Sequence, residues 1–356
     1  MEIFYKGAHT IKVKVTSTYK GEHHSMKKIT VISLVIMTIL LTLGLTVYSL
    51  LARMNHIEIN KSNEALGITI EPEIINNEAI IDPDIMEIEY IEPKYTKRND
   101  IVNIVLLGLD GTDYDKTRSD SIIILTIDFM NKKIKLSSLM RDMYVAIEGY
   151  GNTKLNHAYS YGGAPLAIKT INQNFDTNIR DYIAINFEAL EKIIDIVGGV
   201  YIDLKQEEII EINSSKDEDV EITEAGEHLL NGKQALAYSR IRYVGNGDFE
   251  RTERQRKVLY QIFVKAKDMK IDEVLNLASE ILPLVETSMD KKTILTMVTD
   301  YFKSDKMTFD EERFPIDGYH WNNITDGIYY LKFDTDITKT QIVDYILNDI
   351  KPIAKE

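Results

Sequence analysis

Residues 29–52 form an uncharged run of 24 positions dominated by Ile, Leu, Val, Thr and Met. As a helix, such a run spans roughly 36 Å, enough to cross the hydrocarbon core of a bilayer. Lys27 and Lys28 precede it, and residues 53–100 hold five Lys/Arg against eleven Asp/Glu. The positive-inside rule then places the amino terminus in the cytoplasm and the large carboxyl-terminal part outside. A cleaved signal peptide is the competing reading, but the run is longer than a signal h-region and no Ala-x-Ala site follows it. Residues 1–25 lack periodicity, and Met26-Lys27-Lys28 reads as a bacterial membrane-protein start, so Met26 is the expected initiator. The chain has no cysteine, so an exported portion must rely on its hydrophobic core rather than on disulfides. About 255 residues beyond position 100 suffice for one large domain. One crossing without disulfides fits a Gram-positive envelope.

The expected organisation is therefore a cytoplasmic segment (1–28), a membrane span (29–52), an acidic spacer (53–99) and a folded domain (100–356). Glu71-Pro72-Glu73, Asp82-Pro83-Asp84 and Glu92-Pro93-Lys94 mark the spacer as extended. Beyond it, apolar runs predict strands at 102–109, 121–128 and 134–139, the last two joined as a hairpin through Met130-Asn131-Lys132. Helical periodicity covers 166–174, 187–197, 232–239, 249–269, 271–284 and 292–302, and short strands fall at 181–185, 200–204 and 307–314. Residues 214–224 are charged and read as a surface loop. This interleaving predicts an α/β fold: a central, mostly antiparallel or mixed sheet with helices on both faces.

The chain carries −14 in total and residues 1–54 carry +5, so residues 55–356 carry −19. Against that background, five of the ten arginines after residue 55 fall within the 17 positions 240–256. Guanidinium is planar, permanently charged and able to grip two oxygens at once, which suits an anion such as phosphate. In Ser239-Arg240-Ile241-Arg242 the alternation reads as an extended segment with both arginines on one side. Asp248 is placed as the N-cap of the following helix, after which Arg251 and Gln255 share a face. That stripe continues apolar through Val258, Leu259 and Ile262, as core packing or as the wall of a site for a hydrocarbon tail. Arg256 reads as a solvated residue pairing with Glu250 or Glu253, and for Arg254 solvated and functional readings are balanced.

Asp110 closes one predicted strand and Asp120 opens the next, with Arg118 between them. Two such carboxylates are what Mg²⁺ on a phosphorylated substrate requires, with room for water. Spacing alone equally allows Asp110 to begin a loop and Asp120 to pair with Arg118. Arg141 follows the hairpin, Lys154 and Asn156 add a cation and an amide that with Arg118 and Arg141 are candidate contacts to the phosphorylated (pyrophosphate) group, and His157 reads as a satisfied structural histidine.

The ordered blocks LLGLD, TRSD, MRD, KLNHAYSYGG, VGGV, EHLLNGKQALAYSRIR and GDFERTERQ resemble the LytR-CpsA-Psr family of envelope glycopolymer ligases. The resemblance runs from about Val102 to the Phe314-Pro315-Ile316-Asp317-Gly318 segment. One departure is Met140, where the family usually carries proline. The resemblance implies a phosphotransferase acting on undecaprenyl-pyrophosphate-linked glycans with peptidoglycan as acceptor. It implies that Asp110 and Asp120 hold Mg²⁺ (or Mn²⁺) and that Arg141, Arg240, Arg242, Arg251 and Gln255 surround the pyrophosphate, beside an apolar tunnel for the polyprenyl chain. Asp248 enters as a base for the attacking hydroxyl or as a structural cap. A lipid-pyrophosphate pyrophosphatase and a non-catalytic tethered regulator or glycan-binding protein are the alternatives. Nucleic acid is disfavoured by the −19 balance, the export and the lack of a basic recognition helix. No GxSxG, HExxH or Walker A pattern is present.

Overall fold

The computed structural model describes residues 48–69, 101–111, 117–214, 221–267, 269–303 and 307–355. The chain divides into a unit ending at Ala52 and a unit Arg53–Glu356. Of the first, residues 48–51 are helical. Positions 29–47 of the expected span at 29–52 lie outside the described residues, as do positions 70–99 of the expected spacer. Among the described residues no helix is long and apolar enough to cross a membrane.

The second unit contains β1 (Asn55–His56), β2 (Ile101–Leu109), β3 (Ser119–Asp128), β4 (Lys133–Leu139), β5 (Tyr144–Ile147), β6 (Gly151–Lys154), α1 (His157–Phe175), β7 (Asp181–Asn186), α2 (Phe187–Ile196), β8 (Val200–Leu204) and α3 (Gln206–Asn213). Next come β9 (Gly226–Leu230), α4 (Gly232–Arg240), α5 (Asp248–Lys267), α6 (Ile271–Ile281), β10 (Glu286–Thr287), α7 (Lys291–Lys303), β11 (Thr308–Phe314), β12 (His320–Thr325), β13 (Ile328–Phe333) and α8 (Thr335–Asn348). The main sheet runs β1-β10-β7-β2-β3-β4-β11. It is mixed: the β1–β10, β2–β7 and β4–β11 pairs are parallel, and β10–β7, β2–β3 and β3–β4 are antiparallel.

Strand side chains alternate between the two faces, and the cores follow that alternation. Val105, Leu107, Ile122 and Ile124 pack with Ile168 and Ile171 of α1 and Ile342 of α8. The intervening Ile123, Leu125, Ile134 and Leu136 pack against Leu259 and Phe263 of α5. A third cluster joins α2, β8, α3, β9 and α4 through Ile194, Ile202, Ile209, Leu230 and Tyr238. Helices thus cover both faces, as the interleaving predicts.

Several boundaries differ from the sequence reading. Residues 53–69 belong to the folded unit rather than to the spacer: Leu66 and Ile68 enter the core, and Lys61 pairs with Asp181 at 2.5 Å. Helix α1 begins nine residues before the expected 166, because the chain bends at Gly162 and Gly163 instead of stopping there. Gly163, at φ 63° and ψ −161°, takes a conformation that a side chain would forbid. Pro283 converts the end of the expected 271–284 helix into a 3₁₀ turn at Leu282–Leu284.

Met140, at the position where the resembled family carries proline, donates its backbone N–H to the Phe314 carbonyl at 3.0 Å, a bond proline cannot make. Lys135 of β4 is fully buried. Its ammonium donates to the Tyr345 carbonyl at 2.7 Å and pairs with Asp349 at 2.8 Å, closing the carboxyl end of α8. Desolvation raises the Asp349 carboxyl, but the hydrogen bonds from Lys133 and Lys135 outweigh it and hold the group below its ordinary value. Its stabilisation is therefore present above the unfolded carboxylate pKa of ~3.9 and is lost as pH falls through the folded value. Asp349→Ala leaves the buried ammonium without its counter-charge and is expected to cost about 3 kcal/mol in urea unfolding.

Candidate active site

A cavity of about 720 Å³ lies between the sheet and the helices packed on it. Leu106, Ile123, Leu125, Leu190, Ile262 and Phe263 form apolar wall, and Asp110, Asp120, Arg240, Arg242, Arg251 and Gln255 also line it. The polar residues come from the carboxyl end of β2, the amino end of β3, the end of α4 and the first turns of α5, so they gather at one mouth. Gly108 helps to shape this mouth. The β2–β3 register shifts between Gly108 and Leu109, and a Cβ on Gly108 would meet Ser121 Cβ at 2.9 Å.

Asp120 organises the mouth. Its Oδ1 accepts from Arg141 Nη1 at 2.6 Å, its Oδ2 from Arg242 Nη2 at 3.0 Å, and its backbone carbonyl from Arg251 Nη2 at 3.1 Å. The expected alternative pairing of Asp120 with Arg118 is replaced by these contacts. Asp110 Oδ1 accepts from the Thr117 hydroxyl and from the Arg118 backbone N–H at 2.9 Å. Burial raises the Asp110 carboxyl, but those hydrogen bonds prevail and hold it below its ordinary value. The Arg118 side chain is exposed.

Asp248 departs from its predicted place as an N-cap. It is the first helical residue of α5, and Gly247 supplies the carbonyl that receives the Arg251 N–H at 3.1 Å. Its carboxylate Oδ2 sits 3.0 Å from Arg251 Nη2 and 3.3 Å from Arg141 Nε. Arg251 is only 2% exposed. Burial pushes its guanidinium down to about 10, against the opposing attraction of Asp248. Around Arg141, desolvation lowers the pKa, but Asp248 and Asp120 outweigh it and raise the group above its ordinary value. Arg251 Nε and Gln255 Oε1 are buried without a hydrogen-bond partner among the described residues. A desolvated guanidinium with an unsatisfied N–H at a cavity mouth suits an anion, whereas the Gln255 Oε1 acceptor suits a hydroxyl or water.

Ser239 to Arg242 is not extended as the alternation predicts: Arg240 ends α4, with Arg242 in the segment beyond it. Both arginines still line the cavity, and the Arg240 guanidinium lies 4.6 Å over the Phe187 ring. Lys154 turns to Asp142, Nζ to Oδ1 at 2.7 Å. Asn156 donates its backbone N–H to the Arg141 carbonyl at 3.1 Å, while its buried Oδ1 has no partner among the described residues. His157 Nδ1 lies 2.9 Å from Thr153 Oγ1. Burial, then Arg118 and Lys154, push that imidazole below its ordinary value.

Arg254 and Arg256 serve the core. Arg254 pairs with buried Glu208 at 2.8 Å and with Glu250 at 3.0 Å. Arg256, expected on a solvated face, is buried and reaches Ser138 Oγ at 2.9 Å and Glu311 at 3.2 Å. The sequence reading passed over Asp142, which lies 3.6 Å from Arg141 Nε; its adjacency to Arg141 was the available signal. It also missed Phe187, which reaches the mouth only through the β7–α2 junction and carries no local signal.

A family model described as the LytR_cpsA_psr family matches residues 68–344. The chain belongs to the LytR-CpsA-Psr family. Over 254 residues this LytR-CpsA-Psr protein is 34% identical to the polyisoprenyl-teichoic acid–peptidoglycan teichoic acid transferase TagU of Oceanobacillus iheyensis, covering 68% of this chain and 75% of TagU. It is 39% identical over 165 residues to the regulatory protein MsrR of Staphylococcus aureus, covering 46% of this chain; the match spans about half of MsrR, 48% of its length. Among solved structures, the LytR-CpsA-Psr family protein YwtF (TagT) with bound octaprenyl pyrophosphate lipid superposes with a TM-score of 0.55 at 26% identity, covering 72% of this chain and 94% of that one.

Proposed function

We propose that this chain is a membrane-anchored, extracytoplasmic phosphotransferase that moves a glycopolymer from a polyprenyl-pyrophosphate carrier to a hydroxyl of peptidoglycan. One observation carries the reading: an apolar cavity whose mouth is ringed by Arg240, Arg242 and Arg251. A pyrophosphate bearing a hydrocarbon tail matches that division of polarity. The octaprenyl pyrophosphate in the TagT structure and the transferase name of TagU support it. The anchor rests on residues 29–52 and the charge asymmetry around them.

The acceptor hydroxyl attacks the glycan-side phosphorus, the bond from that phosphorus to the bridging oxygen breaks, and polyprenyl phosphate departs, its freed oxygen taking up the hydroxyl proton. Such a reaction needs positioning and charge neutralisation more than a protein nucleophile. Arg242 and Arg251 face the cavity and take the pyrophosphate oxygens. Asp248, shared by Arg141 and Arg251, holds those guanidiniums in place, which disfavours it as the base. Asp110 and Asp120 would hold Mg²⁺ or Mn²⁺. Both are hard oxygen donors at one mouth, and Asp110 Oδ2 accepts no hydrogen bond among the described residues. Among the described residues no group of three or more acidic or histidine side chains is arranged to hold a metal ion by itself, so phosphate and water oxygens would complete the shell. When bound, the ion would neutralise charge developing on the diphosphate.

Incubating the full chain in detergent with a polyprenyl-pyrophosphate-linked glycan tests the reading. Polyprenyl phosphate release that requires peptidoglycan strands supports it, whereas equal release without them identifies a pyrophosphatase. Ile262→Trp obstructs the apolar wall. It is expected to weaken lipid-pyrophosphate binding by about tenfold or more, the ~1.4 kcal/mol lost when a few methylenes stay in water, while calorimetry with inorganic pyrophosphate is unchanged.

A further inference from the structure

We propose that an aromatic shelf on the outer side of Arg141, built from Tyr329, Lys154, Tyr150 and Tyr161, binds the acceptor peptidoglycan strand. The assignment of the strand as acceptor rests on the transferase reading above. The contacts lead outward from the mouth. Asp142 joins Arg141, at 3.6 Å, to Lys154, at 2.7 Å. The Lys154 ammonium lies 5.7 Å over the Tyr329 ring, whose hydroxyl donates to Asn322 Oδ1 at 2.9 Å. None of these residues lines the apolar cavity.

On the other flank, Tyr150 and Tyr161 stack at 4.3 Å with 14° between their planes. They are 54% and 41% exposed. His157, 5.7 Å from Tyr161, sits between that pair and the cluster of Lys154, Asp142 and Arg118 that acts on its charge. The hairpin carrying Tyr329 adds its cross-strand partner Ile324, which is exposed. Large rings left in water beside a reaction centre are not needed by the core, and such patches mark recognition surfaces.

Two features select the occupant. First, the shelf's ammonium is matched by Asp142, and the buried Asn156 Oδ1 has no partner among the described residues. Flat apolar faces among neutral hydrogen-bonding groups suit a pyranose, with its C–H faces and hydroxyls, better than a phosphate polymer. Second, phosphoryl transfer places the attacking and leaving oxygens roughly in line on opposite sides of the phosphorus. With the polyprenyl phosphate leaving toward the cavity, the attacking sugar arrives from the side of the shelf. Lys154 accordingly serves the acceptor rather than the pyrophosphate.

The test compares the full chain with Tyr329→Ala and with the double variant Tyr150→Ala/Tyr161→Ala, all in detergent. Soluble uncrosslinked glycan strands serve as acceptor, and octaprenyl pyrophosphate as lipid probe. Both variants should raise KM for the strand about tenfold, with donor KM and lipid affinity within about twofold of the parent, a discrimination of ~1 kcal/mol. Calorimetric binding of the strand alone should weaken in parallel. Unchanged acceptor KM and strand binding in both variants overturn the proposal, as does a rise confined to donor KM, which would place the donor sugar on the shelf. Strand binding that depends on these tyrosines in a protein that neither binds octaprenyl pyrophosphate nor transfers would defeat the transferase reading while leaving the shelf as a glycan site.

Discussion

Asp120→Ala is expected to lower kcat/KM for transfer by about 10³-fold while the protein still folds, the scale seen when a preorganised charge-stabilising group is removed. The reason is geometric. One carboxylate holds Arg141 at 2.6 Å and Arg242 at 3.0 Å, and its removal leaves two guanidiniums facing each other without an anion between them. Their repulsion spreads the groups that must converge on the diphosphate. Asp120 lies at the sheet's end, beside a solvent-reachable cavity, so the sheet core survives and circular dichroism should report a cooperative melt. Asp120→Asn keeps the hydrogen-bond acceptor but loses the charge. If the carboxylate also holds a metal, the asparagine variant should lose the dependence of rate on Mg²⁺ concentration. Near-normal turnover by folded Asp120→Ala would remove the basis for the proposed site. Arg240→Ala should be milder, because Arg240 is exposed and rests on Phe187.

The second large effect concerns stability. Arg254 is 2% exposed and its partner Glu208 3%. Nε donates to Glu208 at 2.8 Å, and the fork also reaches the carbonyls of Ile241 and Val244 at 3.3 Å. Arg254→Ala strands a buried carboxylate and is expected to cost about 3–5 kcal/mol in urea denaturation. The double replacement Arg254→Met/Glu208→Leu removes both charges and should recover most of that loss. Because Arg254 also ties down the segment bearing Arg242, the single variant should bind pyrophosphate more weakly even below its melting temperature. A loss under about 1 kcal/mol would mean that this pair does not brace the fold.

Much of the architecture is legible in local pattern. The apolar runs of β2, β3 and β4 lie within about two residues of where periodicity places them, because central strands buried on both faces read as nearly continuous apolar sequence. The hairpin β12–β13 was readable and overlooked. Asp326-Gly327, with φ of 53° and 76°, is the turn chemistry of a tight hairpin. Helix α8 was harder. Its sequence TDITKTQIVDYILN has little amphipathic contrast, and it is held by packing on α1 and by the Lys135–Asp349 contact, whose members are 214 positions apart. The docked segment 53–69 was hidden for the same reason: its charges balance, with Arg53 and Lys61 against Glu58 and Glu64, but no long apolar run or helical periodicity marks it, and the pairing of β1 with β10 is a long-range contact.

The sequence by itself determined the long uncharged apolar run, the charge asymmetry, the sheet-forming runs and the clustering of arginines, since each is a property of neighbours along the chain. The tertiary structure alone decided what each arginine does. Positions 251, 254 and 256 project in different directions from one helix, and only the docking of α5 against the sheet assigns Arg251 to the cavity, Arg254 to Glu208 and Arg256 to Ser138 and Glu311. A guanidinium's role is set by which carboxylate or anion it meets in a low-dielectric setting, and that meeting is a long-range contact no local periodicity records.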